Sequence, residues 1–100
     1  MEARIYNYSD WIELTDSKYL KIYFDYLLLL CDFEVLDFME HKFKPQGYTA
    51  VWLLGESHFA VHTFPEENKT YIEMSSCNIS KHNEFIKHLK RTDKWTKVGT

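Results

Sequence analysis

This 100-residue chain has few glycines, prolines and cysteines: three glycines, two prolines and two cysteines. Two cysteines are too few for the disulfide framework that supports many small secreted domains, and they suit a reducing cytoplasm. No glycine- or proline-rich linker, internal repeat or low-complexity segment divides the chain. We therefore expect a single domain over residues 1–100. A domain of this size leaves much of its surface exposed, which favours an oligomer.

A large excess of charge and a long apolar run are absent too. The net charge is −3, from 12 basic and 15 acidic residues, whereas nucleic-acid binding usually needs a clearly basic face. Asp25 and Asp32 lie on either side of the run Leu27–Leu30, and a membrane span needs about 20 apolar residues. The N-terminal residues show no apolar segment of a secretory signal. We expect neither a nucleic-acid partner nor a membrane partner.

Apolar residues make up 45% of the chain, which is enough for a core. Their spacing predicts five strands and a short last one, at residues 3–13, 33–44, 48–54, 58–64, 69–76 and 95–98. It predicts helices at residues 17–31 and 81–91, with Ser80 as the cap of the second. This order predicts an α+β, two-layer sandwich, in which an antiparallel sheet carries both helices on one face. The first helix is so apolar that we expect it to contact the sheet and a second surface, such as another subunit.

The most informative segment runs from residue 55 to residue 66. It begins at the connection between two predicted apolar strands and continues through the second of them. It contains Glu56-Ser57-His58 and then His62-Thr63-Phe64-Pro65-Glu66. A turn, Pro45-Gln46-Gly47, precedes it, and Cys77 follows about one strand later. Two histidines four residues apart suit a metal site on a helix, but residues 58–62 alternate like a strand, so we expect no metal.

Taken one at a time, these residues have ordinary structural explanations. Ser57 is then a turn residue, and His62 is a strand histidine with a hydrogen bond. Cys77 is then a small buried apolar residue, and Phe43 and Phe64 are core residues. It is their joint occurrence, in this order and at these spacings, that indicates a function.

Together, the motifs between Phe43 and Cys77 resemble the S-adenosylmethionine decarboxylase proenzymes of the short prokaryotic type. The resemblance implies that the chain cuts itself between Glu56 and Ser57, into a β chain of residues 1–56 and an α chain of residues 57–100. Ser57 then becomes a pyruvoyl group, which forms a Schiff base with the substrate. It also implies that His62 removes the α-proton of Ser57 during processing, and that Thr49, just after the Pro-Gln-Gly turn, supports the cleavage.

The same resemblance assigns the residues that meet the substrate. Cys77 is the proton donor in decarboxylation. Phe43 and Phe64 hold the adenine ring between aromatic faces, and Glu66 binds the ribose hydroxyls. The resemblance further implies a homodimer with its sites near the subunit interface, no metal, and a place in spermidine, and hence polyamine, biosynthesis.

Side-chain alternation along the strand limits how these residues meet. In an unbroken strand Ser57 and His62 point to opposite faces. We therefore expect the connection at residues 55–57 to break the alternation.

Two departures from the family pattern leave other functions open. Gly55 stands where a serine is common, and Ser76-Cys77-Asn78 replaces the usual Thr-Cys-Gly. One alternative keeps the pyruvoyl chemistry but acts on another amino acid, as an ornithine or arginine decarboxylase. The other is an unprocessed, non-catalytic paralogue that acts as a binding or regulatory partner.

Overall fold

A five-stranded antiparallel sheet and two helices account for most of residues 3–91, the part of the chain that the computed structural model describes. In chain order the elements are β1 (Tyr6–Ile12), α1 (Ser17–Leu30), β2 (Val35–Lys42), β3 (Tyr48–Leu54), β4 (Ser57–Phe64), β5 (Lys69–Ser76) and α2 (Ile79–Arg91). A single 3₁₀ turn, Pro65–Glu67, joins β4 to β5. The strands lie side by side in the order β1-β5-β4-β3-β2, which puts β4 at the centre.

The predicted α+β sandwich is confirmed, with small changes at the ends of its elements. β1 and β2 are shorter than predicted, and the strand predicted at residues 95–98 lies outside the described residues. The second helix begins at Ile79, so the prediction of Ser80 as its cap is wrong. Asn78 is the cap, because its side-chain oxygen accepts the backbone N–H of Lys81 at 3.1 Å.

An aromatic cluster joins the two helices to the centre of the sheet. The ring of Phe59, on β4, lies 4.6 Å from Phe24 of α1 and 5.1 Å from Phe85 of α2. Trp52, on β3, lies 5.4 Å from Phe59, and its indole N–H donates a 2.8 Å hydrogen bond to Asp25. All three phenylalanines and the tryptophan are fully buried. The cluster therefore defines an inner face of the sheet, which the helices cover.

The outer face of the sheet has no covering layer among residues 3–91. β4 alternates along its whole length, with Phe59 and Val61 on the inner face and His58 and His62 turned outward. Its register with β3 and with β5 is continuous from Ser57 onward. The expected break in alternation at residues 55–57 is therefore wrong, and Ser57 and His62 point to opposite faces.

Exposed apolar side chains lie on both surfaces of the sandwich. On the outer face of the sheet they include Met39, Val51 and Leu53. On the solvent side of α1 they are Tyr19, Ile22, Tyr26, Leu29 and Leu30. Neither helix in the described part of the chain is long and apolar enough to cross a membrane.

Candidate active site

The turn between β3 and β4 carries backbone strain at the predicted scissile bond, Glu56–Ser57. Leu54 pairs directly with Ser57, so Gly55 and Glu56 alone make the connection. Glu56 has a φ of 65°, in the left-handed region, where a residue with a Cβ is disfavoured by roughly 1–2 kcal/mol. The N–H of Gly55 anchors the turn by donating a 2.9 Å hydrogen bond to the carbonyl of Glu34. The strain thus sits on the residue whose carbonyl belongs to the predicted scissile bond.

A backbone N–H points at that same carbonyl group. The N–H of Cys77 donates to the carbonyl oxygen of Glu56 at 3.3 Å. A donor in this position stabilises the negative charge that develops on a carbonyl oxygen when a nucleophile attacks its carbon. The sequence analysis assigned only the thiol of Cys77 a role and missed its backbone N–H. That contact follows from the pairing of β4 with β5, which a single sequence does not display.

Ser57 is the first residue of β4 and is buried on the inner face of the sheet, so its interpretation as a turn residue is wrong. Only 8% of its surface is exposed, and its hydroxyl donates a 2.9 Å hydrogen bond to the hydroxyl oxygen of Ser76. Ser76 lies opposite Ser57 in the β4–β5 ladder and is completely buried.

Cys77 follows Ser76 directly and is exposed. The interpretation of Cys77 as a small buried apolar residue is therefore wrong. The structure brings Glu56, Ser57 and Cys77 together at one end of the central strands, which we call the Ser57 end.

Thr49 and His62 form a second group, at the other end of the same strands. They are directly paired across β3 and β4, and Oγ1 of Thr49 lies 3.1 Å from Nδ1 of His62. The hydrogen bond fixes the orientation of the imidazole ring on the outer face. Tyr71, the partner of His62 on β5, packs its ring alongside at 6.4 Å.

Three residues predicted to bind substrate lie at this second end, which we call the His62 end. Phe43 comes just after β2 and is half exposed, with its ring edge against His41 at 4.4 Å. Phe64 ends β4 with 36% of its surface exposed, and Glu66 lies exposed in the 3₁₀ turn. Neither phenylalanine is a core residue, so both rings are accessible.

A turn holds Phe43 in place. Its backbone N–H donates a 2.8 Å hydrogen bond to the carbonyl of Gly47. Gly47 has a φ of 114°, a conformation that a side chain would strain. The predicted turn at residues 45–47 thus positions one of the candidate aromatic residues.

Two further aromatic residues enlarge the His62 end. Trp11 of β1 lies 5.8 Å from Phe64 and 5.2 Å from Tyr71, between ring centroids. The sequence analysis missed both Trp11 and Tyr71, because only the pairing of β1 with β5 brings the start of the chain to this place. The ammonium of Lys69 lies 4.4 Å above the Trp11 ring and forms an ion pair with Glu67 at 3.3 Å.

The two groups are far apart within one chain. Ser57 and His62 are five residues apart along an unbroken strand, a distance of roughly 16 Å. They also point to opposite faces. A single chain therefore gathers the predicted cleavage site and the predicted proton donor at one end, and the predicted base and substrate-binding residues at the other.

A buried histidine underlies the Ser57 end. His82 of α2 packs its ring 6.1 Å from Tyr6, whose partner on β5 is Ser76. Burial lowers the pKa of His82, so the ring is neutral at pH 7, and its Nδ1 has no hydrogen-bond partner among the described residues. No motif in the sequence pointed to this residue.

Comparison with known families shows which family the chain belongs to. The model of the S-adenosylmethionine decarboxylase family matches residues 5–99, nearly the whole chain. The chain belongs to the S-adenosylmethionine decarboxylase family. This confirms the resemblance that the motifs around Ser57 and His62 carried.

Individual members of the S-adenosylmethionine decarboxylase family give the extent of the likeness. An S-adenosylmethionine decarboxylase proenzyme 1 of Bacillus anthracis is 35% identical over 68 residues, which are 68% of this chain and 52% of that protein. A proenzyme of Prochlorococcus marinus is 30% identical over 66 residues, 66% of this chain and 54% of that protein. The chain thus spans about half the length of the curated relatives it matches.

A solved structure supports the fold independently. The crystal structure of the adenosylmethionine decarboxylase from Aquifex aeolicus superposes with a TM-score of 0.70 at 18% sequence identity. The match covers 83% of this chain and 73% of the other. At this identity the likeness establishes that the two proteins share a fold.

The strain at Glu56 makes a prediction about stability. In a Ser57→Ala background, in which the predicted nucleophile is absent, Glu56→Gly should raise the free energy of unfolding by roughly 0.5–1 kcal/mol, because glycine tolerates a positive φ. Denaturant unfolding followed by circular dichroism would measure the change. Glu67→Gly is the control: Glu67 is not in the left-handed region, so this change should lower stability. A Glu56→Gly variant less stable than its parent would contradict the assignment of strain.

Proposed function

We propose that the protein is a self-processing, pyruvoyl-dependent decarboxylase that acts on S-adenosylmethionine in polyamine biosynthesis, in the cytoplasm. One observation carries the proposal. Glu56, on one side of the Glu56–Ser57 bond, has a left-handed φ, and the N–H of Cys77 donates to the carbonyl oxygen of Glu56. Membership of the S-adenosylmethionine decarboxylase family supports it.

Self-cleavage at this bond uses residues of both ends. The Ser57 oxygen attacks the carbonyl carbon of Glu56, the C–N bond breaks, and the proton passes to the Ser57 nitrogen, so the amide becomes an ester. The N–H of Cys77 supports the negative charge on the Glu56 oxygen during the attack. His62 then takes the α-proton of Ser57, and the Glu56 carboxylate leaves. Hydrolysis of the remaining dehydroalanine releases ammonia and leaves the pyruvoyl group at the start of residues 57–100.

The pyruvoyl group supplies a carbonyl that accepts the substrate amine and an electron sink for decarboxylation. It is smaller than the serine from which it forms, so the buried position of Ser57 accommodates it. Cys77 is exposed within the Ser57 end and serves as the proton donor to the substrate carbon.

A homodimer follows from the distance between the two ends. His62 lies roughly 16 Å from Ser57 along the unbroken strand, too far to take the α-proton of Ser57 within its own chain. A second subunit packed on the outer face of the sheet, with its strands reversed, would place its His62 end against the Ser57 end of the first. The two-fold axis would cross β4 near Ala60, midway between Ser57 and His62.

The composition of the outer face supports this packing. Val51, Leu53 and Met39 are exposed there, at 38%, 50% and 70%, although they are apolar. Ala60, at the proposed axis, is small and lets the facing sheet approach. Each dimer then has two sites, each formed by the Ser57 end of one subunit and the His62 end of the other.

The aromatic residues at the His62 end favour S-adenosylmethionine over a simple amino acid. Phe43 and Phe64 are accessible rings suited to stacking on a base, and Trp11 and Tyr71 enlarge the same surface. Aromatic faces also attract the positive charge of a sulfonium group. Glu66 presents an exposed carboxylate that accepts hydrogen bonds from ribose hydroxyls.

Intact mass under denaturing conditions tests the proposed processing. Wild-type protein should appear as two chains divided after Glu56, the second lacking the mass of ammonia and blocked to Edman degradation. His62→Ala should process about 10²- to 10⁴-fold more slowly with the fold retained, because loss of a positioned base has this effect.

A wild-type chain that stays whole on long incubation would contradict catalysis and favour the non-catalytic paralogue. Rapid, complete processing of His62→Ala would remove His62 from its proposed role. Circular dichroism and size-exclusion chromatography of the variant are the controls for its fold.

Co-expression of two inactive variants tests whether each site is shared between subunits. Ser57→Ala lacks the nucleophile and should not process alone, and His62→Ala lacks the base and should process only slowly alone. In a mixed dimer the His62→Ala chain has an intact His62 on its partner and should be cleaved. At random pairing of equal amounts, mixed dimers hold half of all His62→Ala chains, so about half of those chains should be cleaved. Mass spectrometry of differently tagged chains would identify which one is cut.

Absence of cleavage in the mixture would contradict the shared site if mixed dimers are demonstrated by tag capture. Val51→Glu in both chains is the matched control. It places a charge on the proposed interface and should abolish both the dimer and the rescue.

Competition in a carbon-dioxide release assay tests the substrate. S-adenosylmethionine should be decarboxylated in preference to ornithine and arginine, and Phe64→Ala should lower this preference by about tenfold or more, since stacking on an aromatic ring is worth about 1–3 kcal/mol. Tyr26→Ala, which removes an exposed aromatic ring on the solvent side of α1, is the control. Faster decarboxylation of ornithine or arginine would agree with the pyruvoyl chemistry but overturn S-adenosylmethionine as the proposed substrate.

A further inference from the structure

A buried pair of serine hydroxyls lies at the proposed cleavage site. Ser57 and Ser76 are opposite each other in the β4–β5 ladder, and both side chains point to the inner face. The hydroxyl of Ser57 donates to the oxygen of Ser76 at 2.9 Å. Burial at this point excludes water, so Ser76 takes the place of solvent as the hydrogen-bond partner of Ser57.

Ser76 is itself held in one orientation by the residue two positions further on. Its oxygen accepts the backbone N–H of Asn78 at 3.0 Å, and its hydroxyl lies 3.3 Å from the carbonyl oxygen of Asn78, to which it donates. The Ser76 proton is thereby directed toward Asn78, which leaves an oxygen lone pair for the hydroxyl of Ser57. A fixed acceptor selects one rotamer of Ser57.

One short segment therefore contacts both reacting groups of the Glu56–Ser57 bond. Ser76 holds the hydroxyl of Ser57, and the N–H of the next residue, Cys77, donates to the carbonyl oxygen of Glu56. Both contacts come from the end of β5, just before Asn78 caps α2. Small changes in this segment would move the nucleophile and the carbonyl relative to each other, and intramolecular attack is sensitive to such changes.

Building on the proposed function, we propose that Ser76 is a positioning residue for self-cleavage. It orients the Ser57 hydroxyl for attack on the Glu56 carbonyl carbon and accepts the Ser57 hydrogen bond as attack begins. The new bond joins Oγ of Ser57 to the Glu56 carbon, the bond to the Ser57 nitrogen breaks, and the Ser57 proton ends on that nitrogen. Ser76 acts in this first step, whereas His62 acts in the later elimination.

The time course of processing tests the role of Ser76. Ser76→Ala should slow cleavage by about 10- to 100-fold, because it removes the side chain that accepts the hydrogen bond of the Ser57 hydroxyl. Ser76→Thr keeps the hydroxyl and should process within a few-fold of wild type. Ser80→Ala is the control: Ser80 is an exposed residue of α2, on neither face of the sheet, so processing should be unchanged.

Hydroxylamine distinguishes the two steps, because it cleaves esters but leaves peptide bonds intact. His62→Ala should accumulate the ester and be cut by hydroxylamine at Ser57. Ser76→Ala should hold little ester and stay largely whole after the same treatment. Should Ser76→Ala fail to fold by circular dichroism, Ser76→Cys keeps the side-chain volume with a weaker acceptor and should show the same slow first step.

The outcomes separate this inference from the function on which it rests. A wild-type chain that is never cleaved would overturn both. If wild type is cleaved and Ser76→Ala is cleaved at the same rate, only the role of Ser76 is overturned. Where Ser76→Ala does not fold, a rate for Ser76→Cys equal to that of wild type has the same meaning. Slow processing with accumulation of the ester would also overturn it, since the block would then lie after the attack.

Discussion

The continuous pairing of β4 with both of its neighbours is the constraint on which the rest of the structure depends. Because the register has no break, the side chains alternate strictly from Ser57 to Phe64. Phe59 then packs into the aromatic core beneath the helices, and His62 turns outward. The same regularity that builds the core separates the predicted nucleophile from the predicted base, so the chemistry we propose needs two subunits.

The proposed cleavage site combines local strain with a well-ordered support. Glu56 adopts a left-handed conformation in a turn of only two residues, and such strain persists only where the surrounding structure holds it. Here the paired strands fix the turn, and two hydrogen bonds add to this: Ser57 to Ser76, and the N–H of Cys77 to the carbonyl of Glu56. The core contributes indirectly, because packing of both helices on the inner face fixes the sheet on which the turn is mounted.

The two departures from the family pattern that left other functions open both lie at the Ser57 end. Gly55 occupies the turn, where a Cβ would come 3.3 Å from the carboxylate of Glu34, a close but yielding neighbour. Ser76 retains a hydroxyl where the family commonly has threonine, so the contact with Ser57 is preserved. Asn78 replaces a glycine and, in this chain, caps α2. These substitutions fit the local geometry and leave the hydrogen bonds to Ser57 and Glu56 in place.

The sequence by itself determined the element order, the sandwich class and the family, because apolar periodicity and ordered motifs are local properties of the chain. It also identified Phe43 and Phe64 as candidates, although only the structure showed that their rings are accessible. What only the tertiary structure decided was which residues meet. The contacts of Ser57 with Ser76 and of Trp11 with Phe64 join residues that are distant in the chain, and strand pairing creates them. The direction of His62 was likewise decided by an unbroken ladder, where the sequence analysis expected a break.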